Sequence, residues 1–101
     1  MNLHIQSVNF TADRKLVNFI QERLDKLEHY HDRIINGEVF LKVDNTSSKQ
    51  NKIAEVKLHI PGHEFVVKKQ CKSFEEAADL TAEVLRRQLT KYKEKVRAIA
   101  S

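Results

Sequence analysis

Apolar and polar residues alternate in four separate stretches of the chain, which predicts four β-strands. Near the N-terminus, Leu3 and Ile5 alternate with His4 and Gln6, the period-two pattern of a strand with one buried face. The apolar positions of the three later strands are Val39, Leu41 and Val43, then Ala54, Val56, Leu58 and Ile60, and finally Phe65 and Val67. Because Val66 has the opposite phase, the fourth strand is ambiguous, and we expect Phe65 and Val67 to point inward.

Two turn signals separate these strands. A polar stretch, residues 45–51, lies between the second strand and the third. Pro61 and Gly62 follow the third strand; proline fixes φ at the first central position of a tight turn and glycine accepts a positive φ at the second. The third and fourth strands are therefore predicted to form a hairpin.

Two longer segments carry apolar residues three and four positions apart, which predicts two amphipathic helices. The first runs from Ala12 to about Tyr30, and Thr11 offers a hydroxyl cap for it. Its apolar stripe consists of Leu16, Phe19, Ile20, Leu24 and Leu27. Before the second, Ser73 and Glu76 have the spacing of a capping box. Its stripe is predicted at Phe74, Ala78, Thr81, Leu85, Leu89, Tyr92 and Val96.

The order β-α-β-β-β-α predicts an α+β fold in which both helices cover one face of a four-stranded sheet. A right-handed crossover through the first helix is expected to join strands one and two. This architecture resembles the double-stranded-RNA-binding domains. A length of 101 residues suits one core of this kind, so we expect residues 1–101 to form a single domain that is a monomer when free.

Positive charge is concentrated in the second half of the last predicted helix. The formal net charge is +4, yet residues 86–97 contain six cations and a single acid, Glu94, so that the rest of the chain is close to neutral. The six cations are Arg86, Arg87, Lys91, Lys93, Lys95 and Arg97. Clustered cations favour a polyanionic partner, because they release counterions from a phosphate backbone. Nucleic acid is therefore the first candidate ligand.

Helical geometry distributes these cations around the buried stripe. At 100° per residue, Arg86, Lys93 and Arg97 share one flank, Lys91 and Lys95 line the other, and Arg87 points outward. Arg23 falls at the edge of the first helix's apolar stripe, where its stem can lie along apolar surface while its guanidinium reaches phosphate. A purely structural alternative remains, since acids in the first half of the last helix and cations in the second half complement the helix macrodipole.

Several other classes of function are disfavoured. Two histidine pairs, His29 with His31 and His59 with His63, lack the further ligands of a structural zinc site, so no metal or other cofactor is expected. We find no phosphate-cradling glycine loop, nucleophile motif or other sign of an enzyme or of a small-molecule substrate. Cys71 is predicted to be a half-buried strand thiol. With neither a signal peptide nor a membrane-spanning run, we expect a cytoplasmic protein that does not bind membranes.

Two groups of residues resemble a known family. The first is Lys26, Leu27 and Glu28 with Tyr30 and Asp32, Arg33 and Ile34; the second is Arg87, Gln88, Leu89, Thr90 and Lys91 with Lys93 and Lys95. Together with the order of elements, they make the chain similar, over nearly its whole length, to short ribosome hibernation-promoting factors. That family is related to the ribosome-associated inhibitor and has long been called the sigma-54 modulation proteins.

The resemblance implies a translation inhibitor of stationary-phase or stressed cells that lodges on the small ribosomal subunit. It would cover ribosomal RNA where messenger and transfer RNA bind, and would block translation by occupancy. Matching positions make Arg87, Lys91, Lys93 and Lys95 the leading RNA contacts, with Arg23 and Lys26 as a second group. Arg86 and Arg97 are added from helical geometry.

The sequence departs from the family pattern at the start of the last helix. Phe74 stands where the family commonly has tyrosine, so any hydrogen bond made by that hydroxyl is in doubt. The second domain by which long forms pair ribosomes is not expected here. An alternative function is a regulatory module that docks its basic helix on an acidic protein partner.

Overall fold

The computed structural model describes residues 1–44 and 49–96 in full, and residues 97–100 by their helical backbone alone. The elements follow the predicted order and are β1 (Leu3–Val8), α1 (Arg14–Asp25), β2 (Asn36–Val43), β3 (Lys52–Ile60), β4 (His63–Cys71) and α2 (Phe74–Ala100). A short 3₁₀ turn, Lys26–His29, follows α1. The α+β class and the β-α-β-β-β-α order are therefore confirmed.

The four strands form one mixed sheet in the order β1-β2-β3-β4. β1 pairs with β2 in parallel, whereas the β2–β3 and β3–β4 pairs are antiparallel. The register places Ile5, Val39, Val56 and Val67 in one row across the sheet. Since Val39 and Val56 are each 1% exposed, this row lies under the helices and belongs to the core.

The phase of β4 agrees with the prediction. Phe65 and Val67 are 7% and 6% exposed, whereas Val66 is 51% exposed on the opposite face. The predicted turn also forms, with Gly62 at a φ of 76°, the left-handed region that glycine adopts without strain. The register of the β3–β4 hairpin, with Leu58 opposite Phe65, therefore directs both apolar sets to one face.

The first helix begins later than predicted, and its cap is a different residue. The N-cap is Asp13, whose carboxylate accepts a hydrogen bond from the Leu16 amide at 2.8 Å. Thr11 is exposed and lies two residues too early, so the predicted Thr11 cap is wrong. A carboxylate at this position also interacts favourably with the positive end of the helix dipole, which explains why the helix starts here.

The same helix ends before the predicted boundary at Tyr30. Regular α-helix stops at Asp25, and the 3₁₀ turn continues the chain, closed by a hydrogen bond of 2.9 Å from the Tyr30 amide to the Leu27 carbonyl. Such tightening satisfies carbonyl groups at a helix end. Leu27 remains 2% exposed, so the apolar stripe continues into the core although the helix type changes.

The last helix follows the predicted stripe except at its end. Ser73 caps it by accepting a hydrogen bond from the Glu76 amide at 3.1 Å, and Leu85 and Leu89 are fully buried. Val96, predicted to be buried, is 46% exposed, and that prediction is wrong. A helix of 27 residues is about 40 Å long, whereas strands of nine residues span about 30 Å, so its last turns extend beyond the sheet.

α2 lies over β3 and β4, and α1 packs beside it on the same face. Neither described helix covers the other face of the sheet. None of the described helices combines the length and the apolar composition needed to cross a membrane.

Candidate nucleic-acid interface

Three of the predicted RNA contacts meet in a cleft between α1 and α2. Arg23, Lys26 and Arg86 line this cleft, which has a volume of about 300 Å³. Tyr30 also lines it, as do two acids of the last helix, Asp79 and Glu83. The fold therefore brings together cations that are about 60 residues apart in sequence, but it places carboxylates among them.

Both carboxylates form ion pairs with the arginines of the cleft. The Arg23 Nε lies 3.1 Å from an Asp79 oxygen, and Arg86 donates two hydrogen bonds to Glu83, at 2.5 and 3.2 Å. Arg87 adds a longer contact of 3.4 Å to the same carboxylate. Hydrogen bonding from Arg86 lowers the pKa of Glu83 and raises that of Arg86, so this pair stays charged at neutral pH. The cleft is consequently much less positive than its arginines alone imply.

Aromatic rings support two of these guanidinium groups. The Arg23 guanidinium carbon lies 4.9 Å from the centroid of the Phe19 ring, and that of Arg86 lies 5.9 Å from the Tyr30 ring. These are cation–π distances. The Arg23 head, predicted to reach phosphate, reaches Asp79 in the folded chain.

The second half of α2 carries the cations that are free of acidic partners. Lys91, Lys93 and Lys95 are exposed, and within the part of the chain that the structure describes none of them forms an ion pair. The Arg87 side chain is 66% exposed, in agreement with its predicted outward direction. The side chain of Arg97 lies outside the described residues. The three lysines are thus the strongest concentration of unpaired positive charge on the helix.

A second groove adds an arginine that was not among the predicted contacts. This groove, of about 260 Å³, is lined by His31, Asp32, Arg33, Tyr92, Lys93 and Val96. Arg33 lies in the loop after the 3₁₀ turn, and its exposed side chain extends the positive surface beside Lys93. The sequence offered one signal for Arg33, since the Asp32-Arg33-Ile34 group belongs to the family resemblance. The spacing of residues gives no further signal, because a loop has no regular period.

Three basic residues of the sheet, Lys42, Lys57 and Lys68, do not join this surface. Lys42 and Lys57 point away from the helices, and the Lys57 ammonium lies 5.6 Å from the centroid of the Phe40 ring. The register places Glu38 opposite Lys57 and Glu55 opposite Lys68. This face therefore alternates in charge, and we assign the candidate interface to the helices and the loop that carries Arg33.

Metal-binding groups and the cysteine thiol were the other candidates for chemistry. Among the described residues, no three His, Cys, Asp or Glu side chains form a group that could hold a metal ion. Cys71 is 5% exposed, which is more buried than predicted, and burial raises the pKa of its thiol. A buried neutral thiol is a poor nucleophile. The surface is suited to binding by charge and shape.

Comparison with known proteins identifies the family of the chain. Residues 3–97 match the family model described as sigma 54 modulation protein / S30EA ribosomal protein. The chain belongs to this family. Because the match includes both helices and the whole sheet, it covers the cleft, the three lysines and the second groove.

Curated relatives of this family are similar along nearly their whole length. The ribosome hibernation promoting factor of Pseudomonas putida is 31% identical over 99 residues, which cover 98% of this chain and 93% of that protein. The factor of the same name from Escherichia coli K12 is 33% identical over 97 residues, which cover 96% and 98%.

Two solved structures share the fold at 20% sequence identity. A ribosomal subunit interface protein from Coxiella burnetii superposes with a TM-score of 0.82, covering 93% of this chain and 99% of that one. The N-terminal domain of Thermus thermophilus Protein Y gives a TM-score of 0.79, covering 91% and 99%. At this level of identity the two structures establish the shared fold of the S30EA family member described here.

Proposed function

We propose that this protein is a ribosome hibernation factor. It binds the small ribosomal subunit, covers ribosomal RNA in the channel for messenger and transfer RNA, and stops translation by occupying that channel. Support comes from its family and from relatives named ribosome hibernation promoting factor, which align with almost the entire chain. The proposal implies a cytoplasmic protein, since that is where ribosomes work.

One structural observation carries the proposed mode of binding. Lys91, Lys93 and Lys95 are exposed on α2 without acidic partners among the described residues, with Lys91 and Lys95 on one flank of the helix and Lys93 on the other. An ammonium without an ion pair loses no such contact when it binds a phosphate. A paired ammonium must first break its ion pair with the carboxylate. These lysines are therefore the first phosphate contacts, and they read charge and shape without selecting a base sequence.

The arginines of the cleft form a second group of contacts. Arg86 uses Nε and one terminal nitrogen for Glu83, but a guanidinium has five N–H donors, so others remain for phosphate. The same reasoning applies to Arg23, whose ion pair with Asp79 uses its Nε. Glu83 and Asp79 thus hold two arginines in fixed positions on the helix surface while reducing their net charge.

Inhibition by this mechanism needs no reaction. A rigid domain that is held by many weak phosphate contacts excludes other ligands from the same RNA for as long as it stays bound. The affinity of such contacts falls with salt, because binding releases the counterions that are condensed on RNA. The reversibility of hibernation would follow from this dependence.

Sucrose-gradient sedimentation of stationary-phase lysate tests the proposal. We expect the protein to sediment with small subunits or whole ribosomes at low salt and to remain at the top of the gradient at high salt. Ribonuclease treatment should release it. If a sedimenting complex survives ribonuclease, the alternative of an acidic protein partner is supported, and a protein that stays at the top at both salts contradicts ribosome binding.

A further inference from the structure

The end of α2 exposes an apolar residue at a place where the helix pattern predicts a buried one. Val96 continues the stripe of Leu85, Leu89 and Tyr92, yet it is 46% exposed because the helix extends past the sheet. It does not stand alone, since Val96 and Tyr92 together form the apolar wall of the second groove. Apolar surface in a concave, positively charged setting is typical of a ligand site.

The aromatic wall of this groove is held in place by its neighbours. The His63 ring stacks on Tyr92, with 5.0 Å between centroids and 24° between planes. Phe65 meets the same ring edge-on at 5.8 Å, and His31 lies 6.4 Å away at a tilt of 46°. Contacts on several sides fix the Tyr92 ring before any ligand arrives, which lowers the entropic cost of stacking against it.

The loop that forms the opposite wall is also ordered locally. The Arg33 amide donates a hydrogen bond of 3.1 Å to the His31 Nδ1, which turns the chain sharply through Asp32. The loop thereby supplies a cation and a carboxylate to the groove, while α2 supplies the ammonium of Lys93. Two cations and one hydrogen-bond acceptor thus surround an apolar wall.

We propose that this groove holds one unpaired base of the bound RNA, an inference that rests on the proposed RNA-binding function. Unpaired RNA bases are recognised by stacking on aromatic side chains and by hydrogen bonds to their edges. The Arg33 and Lys93 charges would meet the flanking phosphates, and Tyr92 with Val96 would cover the base. The Asp32 carboxylate can accept hydrogen bonds from N–H groups on the edge of the base. A volume of about 260 Å³ is below that of pockets for drug-sized ligands and suits a single base.

The first test separates base contact from phosphate contact by the salt dependence of binding. Val96→Ser removes apolar surface without changing charge, so affinity for purified small subunits should fall about fivefold while the slope of log affinity against log salt stays the same. Val66→Ser is the matched control, because Val66 is 51% exposed on the outer face of the sheet. Thermal unfolding verifies that both variants fold.

The second test is chemical probing of the small-subunit RNA with dimethyl sulfate and kethoxal at saturating protein. Wild-type protein should protect at least one unpaired base that becomes reactive with Val96→Asp, while the other protections persist. Val66→Asp, which introduces the same charge on the outer face of the sheet, should give the wild-type footprint.

The outcomes distinguish the two proposals. Wild-type protein that does not bind small subunits refutes the proposed function and the base site together. Wild-type protein that binds, with Val96 variants equal to the Val66 variants in affinity and footprint, overturns the base site alone. A Val96→Ser variant whose loss of affinity comes with a smaller salt slope also overturns it, because the groove would then contribute only phosphate contacts.

Discussion

Arg86 and Glu83 are joined by two hydrogen bonds on the surface of α2, at 2.5 and 3.2 Å, one turn apart along the helix. Arg87 approaches the same carboxylate at 3.4 Å. One acid therefore partly neutralises two of the predicted RNA contacts. The pair is a feature of the helix itself, since residues three and four positions apart face each other.

Removing this carboxylate should strengthen binding. Glu83→Gln deletes a negative charge beside two arginines and beside the approaching phosphates, and we expect affinity for small subunits to rise about twofold to fivefold. Arg86 holds the pKa of Glu83 below its ordinary value, so the carboxylate of the wild type stays charged down to acidic pH. The difference in affinity between the variant and the wild type should therefore persist throughout the neutral range. Equilibrium binding at fixed ionic strength measures the effect.

Glu64→Gln is the control for that experiment, since it makes the same change in charge at an exposed position of β4 that lies away from the helices. Its affinity should match that of the wild type. Weaker binding by Glu83→Gln would show that the carboxylate serves mainly to position the arginines and would contradict its role as a competitor of phosphate.

The core of the helical layer should respond strongly to loss of volume. Leu85 is fully buried in the core between α2 and the sheet, so Leu85→Ala should lower the free energy of unfolding by about 2 to 5 kcal/mol. Leu80→Ala makes the same substitution in the same helix at a side chain that is 42% exposed, and it should cost much less. Urea denaturation followed by circular dichroism measures both; equal losses would contradict the assigned burial.

Cys71 should be inert in the folded protein. Its burial raises the pKa of the thiol, so little thiolate forms near neutral pH and reagents have little access to it. We expect Ellman's reagent at pH 8 to react with native protein at least about tenfold more slowly than with a Cys71→Ala/Val66→Cys variant, which presents an exposed thiol. In urea the two rates should converge. Equal rates for the two native proteins would contradict the burial of Cys71.

The raised pKa of the Cys71 thiol makes the stability of the fold depend on pH in the alkaline range. The unfolded thiol ionises at its ordinary pKa, whereas the folded one ionises higher, so between these values the folded state binds more protons. The free energy of unfolding should therefore decline as pH rises above the ordinary thiol pKa. Cys71→Ala should remove this part of the decline.

Most core residues could be predicted from the sequence, because buried positions recur at every second residue of a strand and at every third or fourth residue of a helix. Phe65 and Val67 on β4, and Leu85 and Leu89 on α2, lie inside as their spacing indicated. The spacing of apolar residues along a helix does not show where the neighbouring sheet ends. It therefore predicts that Val96 is buried, although the helix extends beyond the sheet there. Helix caps are similarly ambiguous, since Thr11 and Asp13 are both competent N-caps and the folded chain uses the second.

The candidate site was only partly predictable. Charge clustering identified the lysines of α2, which the structure leaves exposed. The pairing of Arg23 with Asp79 joins residues that are distant in sequence, and no local pattern reports it. The loop residue Arg33 was likewise missed as a contact, because loops have no period from which a shared surface can be inferred.

The most direct test of the account is the salt dependence of binding to purified small subunits, for wild type and for the double variant Lys91→Gln/Lys95→Gln. Six neutralised phosphates predict that log affinity falls with log salt by a slope of roughly 4 to 5, and that loss of two lysines reduces this slope by about 1.5. Lys42→Gln/Lys72→Gln removes two exposed lysines elsewhere and should leave affinity and slope almost unchanged. Binding that is insensitive to salt, or a folded Lys91→Gln/Lys95→Gln variant with the slope of the wild type, would contradict RNA binding through α2.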